Sequence, residues 1–227
     1  KDMRNVLEYK DGVSFFGSSS GWENKGEMGK GRSAGIEFMA QKTAGKTTGW
    51  LSYTLSKSDR KFTKGGINNG EWFPYKYDRR HSINLTINHK FSDRIDIGAS
   101  WVFYTGGTST IPEEKTTVIR PHNGANNGFL WYGTYDNTNS SPTIGDVSYI
   151  EHRNNFRLPA SHRLNLGVNF NKKTKHGMRT WNISLYNAYN AMNPAWVYRS
   201  TNKEGQSVIR KFTLLPLIPS FTYTYKF

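Results

Sequence analysis

The last seven residues of this chain, Phe221-Thr222-Tyr223-Thr224-Tyr225-Lys226-Phe227, place an aromatic ring at every second position, with a hydroxyl or a lysine between. Successive side chains of a strand point to opposite faces, so the rings share one face and the polar groups the other. That contrast, kept up to the chain end, suits a strand with lipid on one side and water on the other. On a soluble edge strand the same apolar row would be an aggregation hazard that a protein buries or interrupts. The segment therefore points to one wall of a membrane β-barrel.

Composition agrees once strands rather than helices are asked to cross the bilayer. A mean hydropathy of -0.72 with 35% apolar residues, and no run approaching 18 apolar residues, excludes a spanning helix. A spanning strand needs only about 9–11 residues and shows lipid every second side chain. The 13 Tyr, 13 Phe and 7 Trp supply material for interfacial girdles. With no cysteine, a disulfide framework and a thiolate metal site are both ruled out. Lys1-Asp2-Met3-Arg4-Asn5 lacks the charged start, apolar core and cleavage site of a secretion signal, so the expectation is a mature portion or fragment of an exported protein.

The same two-residue period recurs along the chain. In residues 81–91, Ile83, Leu85, Ile87 and Phe91 alternate with Ser82, Asn84, Thr86, Asn88 and Lys90, and His89 falls on the apolar side. After the turn Ser92-Asp93-Arg94, Ile95, Ile97, Ala99, Trp101 and Phe103 alternate with polar or small residues, which reads as a hairpin. A second hairpin sets Leu164, Leu166, Val168 and Phe170 against Arg163, Asn165, Gly167, Asn169 and Asn171, turns at 172–177, and returns through Trp181, Ile183, Leu185 and Tyr189. A weaker third pairs residues 32–42 with 50–56. With 211–227 as the last strand and 4–9 as the end of another, seven complete strands and one partial strand are expected. Ile83, Leu85, Ile87, Ile97, Trp101, Leu164, Leu166, Val168, Ile183, Leu185, Tyr223 and Tyr225 are assigned to lipid. Asn84, Thr86, Asn165, Asn169, Asn182 and Thr224 are assigned to the lumen.

Turns inside these hairpins are short, whereas the connections 15–29, 59–80, 106–160 and 199–207 are long and rich in Gly, Asn, Ser, Lys and Trp. Short turns on one rim and long loops on the other belong to outer-membrane barrels, whose short side faces the periplasm. A soluble β-sandwich carries no such rhythm. Pro216 and Pro219 must sit in the last strand where no ladder donor is needed. Eight strands are enough to close a small barrel, but the first is cut short, so a segment of a larger barrel is the better expectation.

The net charge of +14 is scattered over loops and turns rather than gathered in a stripe, so no nucleic-acid partner is expected. Basic groups near the rims can instead meet lipid phosphates, including those of lipopolysaccharide. The six histidines show no pair at metal-ligand spacing and no serine stands in a Gly-x-Ser-x-Gly elbow, so no catalytic group, metal ligand or cofactor is expected. His122, Asp136, Asp146, Glu151 and His152 lie in the one long loop that offers carboxylates and imidazoles together. In Asp78-Arg79-Arg80-His81, Asp78 and Arg80 share a face of an extended chain and read as a structural clamp. The candidate ligand-facing groups are the loop aromatics Trp72, Phe73, Tyr75 and Tyr77 with Arg79, and Trp131, Tyr132 and Tyr135 in the next loop.

Four segments together resemble the carboxy-terminal barrel of TonB-dependent outer-membrane receptors, especially those of the Bacteroidota. They are Gly49-Trp50-Leu51-Ser52-Tyr53-Thr54-Leu55-Ser56, Glu71-Trp72-Phe73-Pro74-Tyr75-Lys76-Tyr77-Asp78-Arg79-Arg80-His81, Trp101-Val102-Phe103-Tyr104-Thr105-Gly106-Gly107 and Asn187-Ala188-Tyr189-Asn190-Ala191-Met192-Asn193-Pro194. The resemblance implies that residues 1–227 are a single all-β, antiparallel segment supplying about the last eight strands of a 22-stranded barrel. The amino-terminal plug and the motif gripped by the TonB energy-coupling complex are absent from this sequence. It also implies import of a scarce nutrient such as an iron chelate, cobalamin, glycan or peptide, with a surface lipoprotein as a further partner. A structural or complex-assembly role is the alternative. The last strand resembles the signal read by the barrel-assembly machinery, with Phe221, Tyr223, Tyr225 and Phe227 as its aromatic positions and Thr222 where glycine is frequent.

Overall fold

The computed structural model describes residues 1–9, 26–120 and 143–227. Its strands are β1 (Asp2–Tyr9), β2 (Gly26–Lys42), β3 (Thr47–Lys61), β4 (Phe73–Pro74), β5 (His81–Lys90), β6 (Ile95–Tyr104), β7 (Thr108–Ser109) and β8 (Glu114–Arg120). There follow β9 (Thr143–Tyr149), β10 (Phe156–Arg157), β11 (Ser161–Thr174), β12 (Gly177–Tyr186), β13 (Pro194–Thr201), β14 (Ser207–Thr213) and β15 (Ile218–Lys226). A single 3-10 turn at Ile67–Gly70 is the helical element among the described residues. The protein is all-β. Every ladder is antiparallel, and the main sheet runs β1-β2-β3-β5-β6-β11-β12-β15, with β4 added beside β3.

That path is open, with β1 and β15 as its edges and no ladder joining them. The sequence places all eight of its strands; their limits differ. β2 and β3 are longer than the alternation alone indicates, because Gly26–Gly31 and Ser58–Lys61 continue the ladder where the apolar residues have stopped. The expected last strand over 211–227 is two strands instead. Residues 214–217 break it, with Leu215 at φ 58 and Pro216 next to it. The first part, β14, turns back onto β13 as a separate hairpin, so the expected long loop 199–207 is that hairpin's turn with the adjoining ends of its arms. Pro219 stands in the edge strand β15 opposite Leu185, and an edge is where a residue without a donor is tolerated. The expected loop 106–160 contains β7 to β10.

The register explains why the chain alternates as it does. Residues directly opposite in a ladder share a face, and the pairs line up across the whole sheet. One row runs Phe38, Tyr53, Ile83, Phe103; the next Ala40, Leu51, Leu85, Trp101, Leu164; another Ile87, Ala99, Leu166, Leu185, Pro219; and another His89, Ile97, Val168, Ile183, Phe221. The reverse face carries Trp50, Thr86, Ser100, Asn165, then Asn88, Gly98, Gly167, Ser184, Ser220, then Asp96, Asn169, Asn182, Thr222. All twelve residues assigned to lipid lie on the first face and all six assigned to the lumen on the second.

The polar face satisfies itself. Asn169 Nδ2 and Asn171 Nδ2 each donate to the Asp96 carboxylate at 2.7 Å, Asn182 Nδ2 donates to Asn169 Oδ1 at 2.7 Å, and Thr180 Oγ1 donates to Asn171 Oδ1 at 2.8 Å. The apolar face is left bare: Ile36 is 72% exposed and Phe221 64%, and Phe38, Leu51, Ile87, Leu166, Trp181, Ile183 and Tyr223 are exposed too. The buried hydrophobic residues among those described are Phe62, Ile67, Phe73 and Ile111, all beyond the main ladders on the long-loop side. This is the inverse of a soluble sheet protein, whose apolar face is covered.

The bare face has a definite height. Arg32 and Lys42 on β2, and His162 and Lys172 on β11, bracket its apolar residues at about ten residues along each strand. At roughly 3.3 Å per residue and a tilt of roughly 40°, that is about 25 Å. Aromatic and imidazole groups stand at both ends, each with a polar partner or a ring. Tyr53 Oη and His81 Nδ1 are 2.9 Å apart, and Tyr189 Oη meets His162 Nδ1 at 2.9 Å and accepts from Trp101 Nε1 at 3.1 Å. At the other end His89 Nδ1 meets Thr47 Oγ1 at 2.7 Å and Trp181 packs against Tyr223, the rings tilted by 50° with centroids 4.5 Å apart. The turns there are tight: Gly45 takes φ 94, and Ser92 Oγ accepts from the amides of Arg94 and Ile95.

Candidate functional site

On the rim opposite the short turns the long connections are knitted into a platform, which carries the candidate site. Its foundation is the strand extension beyond the apolar band. Glu27, buried on β2, accepts from the amides of Thr63 at 2.9 Å and Ile67 at 3.0 Å and from the Thr63 hydroxyl. This pins the start of the β3–β5 connection, and Phe62, Ile67 and Phe73 close over it as a small core. Charge-assisted bonds to a buried carboxylate are the strong kind, and here they fix the loop beside its small apolar core.

Asp78 is the second anchor, only 1% exposed. Its Oδ1 accepts from the Ser58 amide at 2.7 Å and its Oδ2 from Arg157 Nη2 at 2.6 Å, with Arg80 Nη2 at 3.8 Å. Arg157 Nη1 also donates to the carbonyls of Asp78 at 2.9 Å and Gly106 at 3.0 Å. One guanidinium thus joins β10 to two other connections. The chain passes so closely there that a Cβ on Gly106 would lie 1.9 Å from the Leu158 carbonyl oxygen, which explains the glycine.

Asparagines complete the platform. Asn68 and Arg153 exchange bonds of 3.1 and 2.7 Å, Asn154 donates to the Pro74 carbonyl at 2.8 Å, and Asn155 bonds Ile111 in both directions at 2.9 Å. The β13–β14 hairpin is tied on by Arg199, whose Nη1 donates to the carbonyls of Pro112 at 3.0 Å and Glu113 at 2.7 Å. Between them lies an open cavity of about 310 Å³, with Ile111, Phe156 and Ile209 as its apolar lining and Glu113, Asn155 and Arg199 as its polar one.

The loop aromatics named from the sequence divide by environment. Phe73 is 7% exposed and packs on Phe62 at 6.0 Å between centroids, so it holds the loop and does not face a ligand. Trp72 lies under the Arg32 guanidinium at 4.3 Å and Tyr75 under Arg60 at 4.1 Å, while Arg79 covers Tyr104 at 4.0 Å. Tyr77, 64% exposed, is the most open of the set and meets Tyr75 edge-on at 5.4 Å. Trp131, Tyr132 and Tyr135 lie outside the described residues, as do His122 and Asp136.

Protein-family models, curated proteins and solved structures give no match to this chain.

Several platform residues carry no sequence pattern that announces them. Arg157 is one arginine among many, yet it is the tightest partner of Asp78; the expected Asp78–Arg80 pair forms only at the longer distance. Asn187, 1% exposed at φ 53, accepts from the Ala191 amide at 2.8 Å and donates to the Ala191 and Leu215 carbonyls at 3.0 and 3.2 Å. A left-handed conformation suits asparagine, and the asparagine-rich run 187–193 was the available hint. Finally, Glu113, Glu151 and His152, all exposed, bring one ligand atom each to within 4.8 Å of one another. Spacing within the sequence does not reveal this set, since folding of the rim is what joins 113 to 151–152. Toward the opposite rim, Phe221, Tyr223 and Tyr225 share one face of β15, and the ring of Phe227, just past the strand, lies 6.2 Å from that of Tyr225.

Proposed function

We propose that this chain is wall and outer rim of an outer-membrane β-barrel that imports a scarce nutrient as a TonB-coupled receptor. The observation that carries the membrane part is the apolar face: the seven adjacent strands from β2 to β15 of the main sheet expose continuous apolar rows about 25 Å tall, bracketed by aromatic and charged groups, over a polar reverse face. In water such a surface would cost on the order of 25 cal/mol for every Å² left uncovered. In hydrocarbon that cost disappears.

The open edges at β1 and β15 call for further strands, and a barrel of about 22 strands satisfies them by the resemblance of the four sequence segments. A lumen of that width leaks unless plugged, and moving a plug requires energy delivered from the periplasmic side, which is the role assigned to TonB. The long-loop platform then faces the exterior, where Tyr77, Trp72 and the cavity beside Arg199 are the surfaces offered to a ligand or a lipoprotein lid. The short turns and the aromatic end of β15 face the periplasm, within reach of the assembly machinery.

Electrical recording and growth together test the reading on the full-length protein. In planar bilayers it should pass almost no steady current, and cells should lose uptake of a nutrient when TonB is removed. A large constitutive conductance would identify a porin. Undiminished growth on every nutrient without TonB, with a tight complex to another envelope protein, would identify an assembly role.

A further inference from the structure

We propose that Glu113, Glu151 and His152 form a binding site for a divalent transition-metal ion of the zinc type, which ties residues 111–113 to 150–153 at the loop rim. Two carboxylates and an imidazole present one ligand atom each, all within 4.8 Å of one another. A tetrahedral ion with bonds of about 2.0–2.1 Å holds its donors roughly 3.3 Å apart, so rotation of exposed side chains is enough to close the set. Three protein ligands with water in the remaining position is an ordinary zinc arrangement.

The charge of the set suits a cation. The chain carries 31 Lys and Arg against 17 Asp and Glu. No lysine or arginine among the described residues forms an ion pair with Glu113 or Glu151, as with most of the described carboxylates, so both are open to another cation. Two carboxylates at this spacing repel each other. A bound cation converts that repulsion into attraction for both. His152 selects the kind of cation: Ca²⁺ and Mg²⁺ take oxygen ligands, whereas imidazole suits zinc and its neighbours.

The ligands are also held from behind. Asn155 Nδ2 donates to Glu113 Oε1 at 2.9 Å, and that amide is itself fixed by its paired bonds to Ile111. Arg199 holds the Pro112 and Glu113 carbonyls, and the Arg153 amide donates to Asn68 Oδ1 at 2.7 Å next to His152. Outer contacts of this sort orient metal ligands, and losing one typically weakens binding about 10- to 100-fold. Glu113 also lines the cavity beside Arg199, so the ion would stand at its edge.

The test uses full-length protein in detergent, stripped with chelator and titrated with ZnCl₂ by calorimetry, then with CoCl₂ to read the visible bands of a nitrogen- and oxygen-bound ion. One zinc per chain at this set is expected, weakened at least about 10-fold by Glu113→Gln, Glu151→Gln or His152→Ala and unchanged by His176→Ala in the opposite turn. An unaltered denaturation midpoint in chelator shows that each variant is folded. Three results overturn the proposal: no zinc binding, binding that survives the triple substitution, or Ca²⁺ bound as tightly as zinc with His152→Ala harmless.

Discussion

An arginine placed at Leu85 and one placed at Thr86 ask the sheet which side is apolar, with depth held nearly constant. Leu85 lies midway along β5 between His81 and His89 and faces Leu51 and Trp101 across its two ladders. Four residues at roughly 3.3 Å, tilted roughly 40°, put it about 10 Å from either histidine, close to the middle of a 25 Å band. Thr86 is the next residue and points to the other face, between Trp50 and Ser100. At mid-depth Leu85→Arg should cost about 2–4 kcal/mol, and Thr86→Arg about 0–1 kcal/mol. The first corresponds to a roughly 30- to 700-fold change in the folding equilibrium, since about 1.4 kcal/mol is tenfold. Reversible denaturant unfolding in lipid vesicles, followed by tryptophan fluorescence, gives both values, provided the slope with denaturant is the same for the two variants. Equal losses, or the greater loss at Thr86, would refute the assignment of faces.

Other substitutions address the platform. Asn187→Ala removes three bonds made by a buried amide and puts alanine at φ 53, so a loss of about 2–4 kcal/mol is expected, with faster amide exchange at 187–193 and 215. Arg157→Leu leaves buried Asp78 with the Ser58 amide at 2.7 Å and, as cationic partner, Arg80 at 3.8 Å; because Arg157 itself is 37% exposed, a loss of about 1–3 kcal/mol is expected, visible as proteolysis within 74–80. Phe62→Ala opens the small core against Ile67 and Phe73 and should cost about 2–4 kcal/mol locally, seen as exchange at 62–73 with β5, β6 and β11 unchanged.

The parts of the fold legible in the sequence are those governed by a local rule. Alternation at Ile83, Leu85 and Ile87, or at Leu164, Leu166 and Val168, reports a strand with two unlike faces, and the registers then assemble all such strands into one sheet. Where two solvents are not opposed, the rule falls silent. Gly26–Gly31 pairs with β1 and Ser58–Lys61 with residues 30–33, both without apolar alternation, and β4, β7 and β10 are two residues long, too short for any period. The break at 214–217 was marked only by Pro216, which a strand edge could equally have held. The rim site is less legible because it consists of contacts between residues far apart in the chain. Asp78 with Arg157, Asn68 with Arg153 and Glu113 with Glu151 and His152 exist only once the loops converge. Phe73 illustrates the opposite error: an aromatic in an exposed-looking loop that the fold buries against Phe62.

The absence of cysteine permits the most direct measurement of the central claim. Single cysteines at 83 to 88 on β5, each carrying a nitroxide in protein reconstituted into vesicles, can be scored for collision with oxygen, which concentrates in lipid, and with a water-soluble nickel chelate. Labels at Ile83, Leu85 and Ile87 should collide with oxygen and be shielded from nickel, and labels at Asn84, Thr86 and Asn88 should not, giving a two-residue period that peaks at Leu85. Nickel access at Ile83, Leu85 and Ile87, or oxygen collision without alternation, would contradict the account.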